Sequence, residues 1–276
     1  MGYVALDLGA TKLALRLGEA GAARDMCAPL PDLHDGRVEL AHVVAVLTRL
    51  LAEAPAPVAA IGVAAAPAVG PDGIVTSWPN RPHWIGLPLG EALRALAPTV
   101  VIEDDGAAGA IAEASGRRES RIASLSIGTG VGGGLVADGV LQSEFREPGH
   151  LVVDPDGPPC ACGLRGCVQV FASGRAILRR AGVGVSGWQL ERALRLGDVR
   201  AELALAPGVT ALAACLKLLR PDVAFIGGGF AAAVPTLISR LDAAVELPVA
   251  PSAFGAKTAL EGAARLAREA IRDGGV

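Results

Sequence analysis

The sequence predicts an α/β fold made of two similar domains, and three observations carry that reading. First, a strand–glycine–strand unit opens the chain: residues 3–8 (YVALDL) are an apolar run ending in an acid, Gly9-Ala10-Thr11-Lys12 forms a turn, and the alternating LALRL follows. Second, the same unit returns about 115 residues later, with 122–127 (IASLSI) as strand, residues 128–134 as a glycine turn and LVADGVL as the returning strand. Third, apolar runs alternate with segments of helical spacing over 276 residues, enough for two domains of about 130. Two such units facing each other would hold a phosphate group from both sides of a cleft.

Taken in order, the first turn aims backbone N–H groups, the Thr11 hydroxyl and the Lys12 ammonium at one point, which suits phosphate oxygens; an ordinary hairpin is the plainer alternative. Residues 37–54 have helical spacing and stop at Pro55 and Pro57, and 58–65 (VAAIGVAA) read as a buried strand. A long proline-rich loop runs to Trp84, and loops of that length rarely lack a role. A short amphipathic helix is expected at 89–96 and a buried strand at 99–103, with Asp104-Asp105-Gly106 at its end and a small-residue helix after it. Acids at the carboxyl end of a strand are where open α/β sheets place ligands. An acid there also serves as a helix N-cap.

In the second half, five glycines within residues 128–134 allow a very close backbone approach to a phosphate. Residues 172–175 open a run of helices broken near Pro207-Gly208, with 209–219 as the last of them. VAFIGGGF, residues 223–230, reads as a strand and a third glycine turn, which leaves room for a flat purine or simply starts a helix. A final helix spans about Thr258 to Arg272.

Between these units lies EPGHLVVDPDGPPCACGLRGCVQ. Three of the five cysteines, Cys160, Cys162 and Cys167, fall within eight positions, and His150 is ten residues upstream. A Cys₃His set is a structural zinc count, and Gly163 and Gly166 supply the tight turn of a knuckle. A buried or reactive thiol set is the plainer alternative. Hydrophobic residues are 51% and aromatics 3%, so Ala, Val, Leu and Ile fill the core. A net charge of −3 and no basic run exclude an electrostatic footprint for nucleic acid. No signal sequence or membrane span is expected, and the cysteine usage fits a reducing compartment, so cytoplasm is the expected location.

Together these motifs resemble the ROK family, a name covering repressors, open reading frames and sugar kinases, and the likeness runs from about residue 4 to about residue 265. The family's D-x-G-x-T-K turn is matched by Asp7, Gly9, Thr11 and Lys12, with Ala10 between them. Its G-T-G-x-G-G-G turn is matched by Gly128, Thr129, Gly130, Gly132, Gly133 and Gly134, and its adenosine turn by Gly227, Gly228 and Gly229. The resemblance makes Asp105 the catalytic base of an E-N-D motif. It makes Asn80, Glu147 and His150 sugar contacts, with His150 also a zinc ligand beside Cys160, Cys162 and Cys167. It implies an actin-like, ribonuclease-H-like two-domain ATPase fold with ATP, Mg²⁺, structural Zn²⁺, a hexose substrate and a homodimer. The expected domains are 1–105, joined by the C-terminal helix 258–276, and 106–257 carrying the zinc loop. In the proline-rich loop, Asn80, Trp78 and Trp84 are the side chains most able to contact the sugar, with Trp84 alternatively covering the core.

The chain departs from the family in its sugar half. Asp104 stands where the family has Asn, Gln169 where it has a sugar-contacting Glu, Gly70 where its A-P-G-P-V-D loop has Asp, and Ala107 where an Asn often follows the base. An ionised Asp only accepts and carries a charge, so facing an ammonium it forms a charge-assisted bond. The family's Asn lies near the 3- and 4-hydroxyls of glucose, so the expected substrate is 3-amino-3-deoxyglucose (kanosamine), phosphorylated on O6. Glucose, a cyclitol or an N-acetylated amino sugar are the alternatives. A ROK repressor would need a helix-turn-helix ahead of Asp7, where only six residues stand, and a silent sugar-binding module is disfavoured by Asp105 and three intact glycine turns.

Overall fold

The computed structural model describes residues 1–19 and 22–274, and its strands fall into two five-stranded sheets of one plan and one two-stranded hairpin. The first unit comprises residues 1–108 and the segment from 259 onward. In it, β1 (Gly2–Leu8), β2 (Lys12–Glu19) and β3 (Ala22–Pro29) form an antiparallel meander. After helix α1 (Gly36–Ala52), β4 (Val58–Ala65) pairs parallel with β1. The short hairpin of β5 (Ala68–Val69) and β6 (Val75–Ser77) and helix α2 (Leu89–Arg94) precede β7 (Thr99–Asp104), which pairs parallel with β4. The sheet order is β3-β2-β1-β4-β7, and α3 (Asp105–Ala114) leaves its last strand.

Residues 109–258 form the second unit and repeat the plan. There β8 (Arg121–Ile127), β9 (Val131–Ala137) and β10 (Val140–Leu141) are antiparallel. Helices α4 (Val168–Ala172), α5 (Gly174–Ala181), α6 (Gly187–Arg195) and α7 (Val199–Leu219) lead to β11 (Val223–Gly227), parallel to β8. Helices α8 (Gly229–Ala233) and α9 (Thr236–Asp242) then lead to β12 (Val249–Pro251), giving the order β10-β9-β8-β11-β12. Helix α10 (Thr258–Asp273) is the last element among the described residues and packs in the first unit.

The period-2 alternation of the strands sorts residues by size. Val4, Leu6, Leu8, Ile61 and Val63 face Val43, Leu47 and Leu50 of α1. On the opposite face Ala5, Ala60 and Ala64 meet Ala263, Ala264 and Ala267 of α10. Small residues there let helix and sheet backbones approach closely: a Cβ on Gly62 would stand 2.0 Å from the Ala263 carbonyl oxygen. Gly62→Ala therefore overpacks backbone against backbone and should cost about 1–3 kcal/mol or more in urea unfolding; a cost below about 0.5 kcal/mol would contradict this packing.

Three sequence expectations need correction. Helix α7 is unbroken through Pro207: its freed Leu203 carbonyl belongs to an exposed residue, and Arg180 Nε donates to the neighbouring Ala204 oxygen at 3.0 Å. This helix is long and apolar enough to cross a bilayer, yet Leu205, Leu212, Cys215, Leu216 and Leu219 sit in the unit's core. Gly132, Gly133 and Gly134 belong to strand β9, so the second glycine turn shrinks to Gly128–Gly130. Gly133 is required by packing, since its Cβ would lie 2.2 Å from the Ser124 oxygen. Finally, Trp78 and Trp84 are 1% and 0% exposed and stack edge-on at 4.8 Å in the core, so neither is a sugar platform.

Candidate active site

The carboxyl ends of β1, β4 and β7 lie level in one sheet. Leu8 pairs with Ala65 and Ala65 with Asp104, so Asp7 and Glu103 occupy the next row back, about 10 Å apart across two strand spacings. The Gly9–Lys12 turn and Asp104–Asp105 therefore emerge at the same edge, where parallel α/β sheets bind ligands. Within the turn, Gly9 N–H donates to the Lys12 carbonyl at 3.1 Å and Leu30 N–H to the Thr11 carbonyl at 3.0 Å. The Thr11 and Lys12 residues are exposed. Burial pushes the Asp7 carboxyl up to about 6, with Lys12 pulling the other way.

Asp104 is the N-cap of α3. Its Oδ1 accepts from Gly106 N–H at 2.9 Å and Ala107 N–H at 3.0 Å. Burial first, then the neighbouring Asp105 charge, raise its carboxyl to about 7 against the pull of those two N–H groups. Because Oδ1 makes both cap bonds, Asn would cap as well. The two side chains differ at the other atom, where Asp presents Oδ2 and Asn an NH₂. Asp105 is the first residue of α3.

In the second unit, Gly128 N–H bonds the Gly130 carbonyl at 3.0 Å and Gly128 O accepts from Gly174 N–H at 2.8 Å, tying the turn to the start of α5. Thr129 is exposed at its tip. The third turn bends at Gly228, with φ 91°, and needs glycine there because a Cβ would lie 2.4 Å from the Ile127 oxygen; Gly227 ends β11 and Gly229 starts α8 with open space beside it.

The loop 147–169 brings His150, Cys160, Cys162 and Cys167 together, their donor atoms all within 4.8 Å of one another. Cys162 Sγ lies 3.6 Å from Cys167 Sγ, and Cys160 Sγ 3.6 Å from His150 Nδ1. A tetrahedral ion with Zn–S bonds of about 2.3 Å has S···S edges near 3.8 Å, so the one-nitrogen, three-sulfur set fits it. Gln169 Nε2 donates to Cys160 Sγ at 3.2 Å, and its Oε1 lies 3.1 Å from where a Gly130 Cβ would stand. Gln169 thus links the quartet to the glycine turn. Glu147 is exposed at the start of the Pro148–His150 turn.

Asn80 is exposed in a turn closed by Arg81 N–H to the Trp78 carbonyl at 2.9 Å. Sequence reasoning passed over Arg81 and Glu39, which are 2% and 0% exposed and paired at 2.6 Å beneath this turn. An acid on the apolar stripe of α1 was the available signal.

The comparisons extend these local features to the whole chain. The ROK family model matches residues 3–270. A kanosamine kinase from Amycolatopsis mediterranei is 38% identical, covering 96% of this chain and 95% of the relative. A ROK hexokinase from Thermus thermophilus superposes with a TM-score of 0.84 at 29% identity, covering 99% of this chain and 100% of that one. A ROK glucokinase from Streptomyces griseus, solved in complex with glucose and AMPPNP, gives 0.77 at 26% identity, covering 98% and 100%. Two sheets of one plan, the ordered glycine turns and the His/Cys loop are what these relationships account for: the chain belongs to the ROK family and is an ATP-dependent sugar kinase of the actin-like α/β fold.

Proposed function

We propose that the chain transfers the γ-phosphoryl group of ATP to the 6-hydroxyl of 3-amino-3-deoxyglucose, with Asp105 as general base. The observation that carries the choice of sugar is Asp104, a half-buried acid whose Oδ1 caps α3, so that in this reading Oδ2 is the oxygen that meets the ligand. An ammonium at C3 matches that oxygen and a neutral hydroxyl does so less well. The 38% identity to a kanosamine kinase supports the same choice.

In this reading the Gly9–Lys12 and Gly128–Gly130 turns, with Thr11, Lys12 and Thr129, bind phosphate oxygens, and Gly227–Gly229 border the adenosine. Asp7, a hard oxygen donor among the turns, suits Mg²⁺, which would neutralise charge on the transferring phosphoryl group. Asp105 accepts the proton of O6 as the oxygen bonds phosphorus, and the bond to the ADP oxygen breaks. Asn80, Asp104, Glu147, His150 and Gln169 hold the sugar, with Gln169 acting through Oε1 because its amide nitrogen bonds Cys160. Zn²⁺ held by His150 Nδ1, Cys160, Cys162 and Cys167 would fix the loop and keep the proton on His150 Nε2, the nitrogen then left to donate.

Two experiments check this. Proton–phosphorus correlation NMR of the product should place the phosphate on C6; phosphate on any other carbon would overturn the regiochemistry. Cys167→Ser should abolish zinc retention, measured by elemental analysis, and lower kcat/KM for the sugar by about 10²-fold through misplacement of Glu147 and His150. Unchanged activity in zinc-free protein would remove the metal from the account. We also assign a homodimer, to be read from solution mass.

A further inference from the structure

Arg81 is buried among backbone oxygens that no secondary structure satisfies. Its Nε donates to the Ala10 carbonyl at 2.6 Å, Nη2 to Leu30 at 3.0 Å, and Nη1 to Pro31 at 3.0 Å and to Glu39 Oε2 at 2.6 Å. Glu39 in turn accepts from Trp84 Nε1 at 2.5 Å and from Leu33 N–H at 2.8 Å, with His83 Nε2 at 2.9 Å. These donors outweigh burial and hold its carboxyl down at about 2, so Glu39 is ionised at neutral pH. Asp32, Glu39 and His83 also lie within reach of a common ion, but the guanidinium already occupies Glu39.

Ala10 is the central residue of the first glycine turn, and Arg81 directly follows Asn80. One guanidinium therefore grips the turn assigned to phosphate and the turn assigned to sugar. A buried ion pair is a poor choice for stability alone, since well-packed apolar residues often match or exceed it. Lysine, a point charge with three donors, could not serve three carbonyls and a carboxylate in this fork.

We propose that Arg81, held by Glu39, is a positioning residue that couples the two turns, so that sugar at Asn80 orders the phosphate turn and nucleotide at Thr11 orders the sugar turn. This rests on the assignment of Asn80 and the first glycine turn to sugar and nucleotide, and not on which hexose is the substrate.

The test uses the full chain and a hexose that the parent phosphorylates. Sugar Kd is measured by calorimetry with and without a non-hydrolysable ATP analogue. The parent should show a coupling factor of about 5–150, and Arg81→Lys and the double variant Glu39→Gln/Arg81→Met should bring it close to one. In both, KM for sugar and for ATP should rise together, with a smaller change in kcat. Glu191→Ala, which removes a buried acid's bonds to Thr236 and Arg195 in the other unit, should lower stability and keep the coupling.

A second measurement needs no variant. Sugar alone should slow hydrogen exchange at the Leu30 amide, bonded to Thr11, and the nucleotide analogue alone should slow it at the Arg81 amide, bonded to Trp78. A parent factor of one, a factor that persists in the Arg81 variants, or amides that respond only to their own ligand would each overturn the coupling. Asn80→Ala separates the premise from the proposal: unchanged sugar affinity there would refute the assignment of Asn80 itself.

Discussion

Asp105→Asn should lower kcat by about 10²–10⁴-fold while leaving KM for ATP and hexose within a few fold. Phosphoryl transfer depends chiefly on positioning and charge neutralisation, and a base that takes the hydroxyl proton adds a separate factor. Asp105 stands at the first position of α3, directly beyond β7, on the sheet edge that carries the first glycine turn. An amide there keeps the size and some hydrogen bonding of the carboxylate but accepts no proton. Steady-state kinetics in both substrates measures the effect; a loss smaller than about tenfold would place the base elsewhere.

Asp104→Asn should move the preference for the 3-amino sugar over glucose by about 10–150-fold toward glucose, the equivalent of about 1.5–3 kcal/mol for a hydrogen bond to a charged group. The helix cap survives, because Asn Oδ1 accepts from the same N–H groups. The parent should also carry a pH signature. With its carboxyl raised to about 7, Asp104 is largely neutral at pH 6, and an ammonium binds only the ionised form. KM for the amino sugar should therefore fall as pH rises toward 7, by up to about tenfold per unit, until the amine loses its own proton. The glucose KM should lack this slope, and so should the variant. Stability runs the opposite way: a carboxyl raised from 3.8 to about 7 supports the fold at low pH and loses that contribution as pH passes through 7. The Asn variant should accordingly be more stable than the parent at pH 8, by about 1–4 kcal/mol. A selectivity unmoved by the substitution would make Asp104 a cap and nothing more.

Much of this organisation was legible because it is local. The runs around β1, β7, β8 and β11 are apolar and run into Gly or Asp, so strand and turn are written side by side. The His/Cys quartet is equally local, with three ligands inside eight residues. The opposite holds for β3, whose residues are nearly all exposed at the edge of the sheet and show no alternation. Pro207 read as a helix break because a sequence does not show that the carbonyl it frees belongs to an exposed residue, Leu203, or that Arg180 meets the next one. Trp78 read as a sugar contact, and Trp84 as either a sugar contact or a cover of the core, because loop composition does not reveal that the loop folds inward beneath α1; Trp84 takes the second role. Glu39 shows the boundary most clearly. Its place beside Leu40, Val43 and Leu47 on the buried stripe was readable, whereas Arg81, 42 positions away, and Trp84, 45 away, could be joined to it only by the fold.

The choice of sugar is tested by an internal competition: purified, zinc-loaded protein with ATP and equal glucose and 3-amino-3-deoxyglucose in one vessel, the two 6-phosphates being quantified by mass spectrometry at low conversion. The product ratio is the ratio of kcat/KM values, and an ammonium paired with Asp104 should give at least a tenfold excess of the amino-sugar phosphate, about 1.4 kcal/mol of discrimination. Equal products or an excess of glucose 6-phosphate would contradict it and return the chain to the glucokinases.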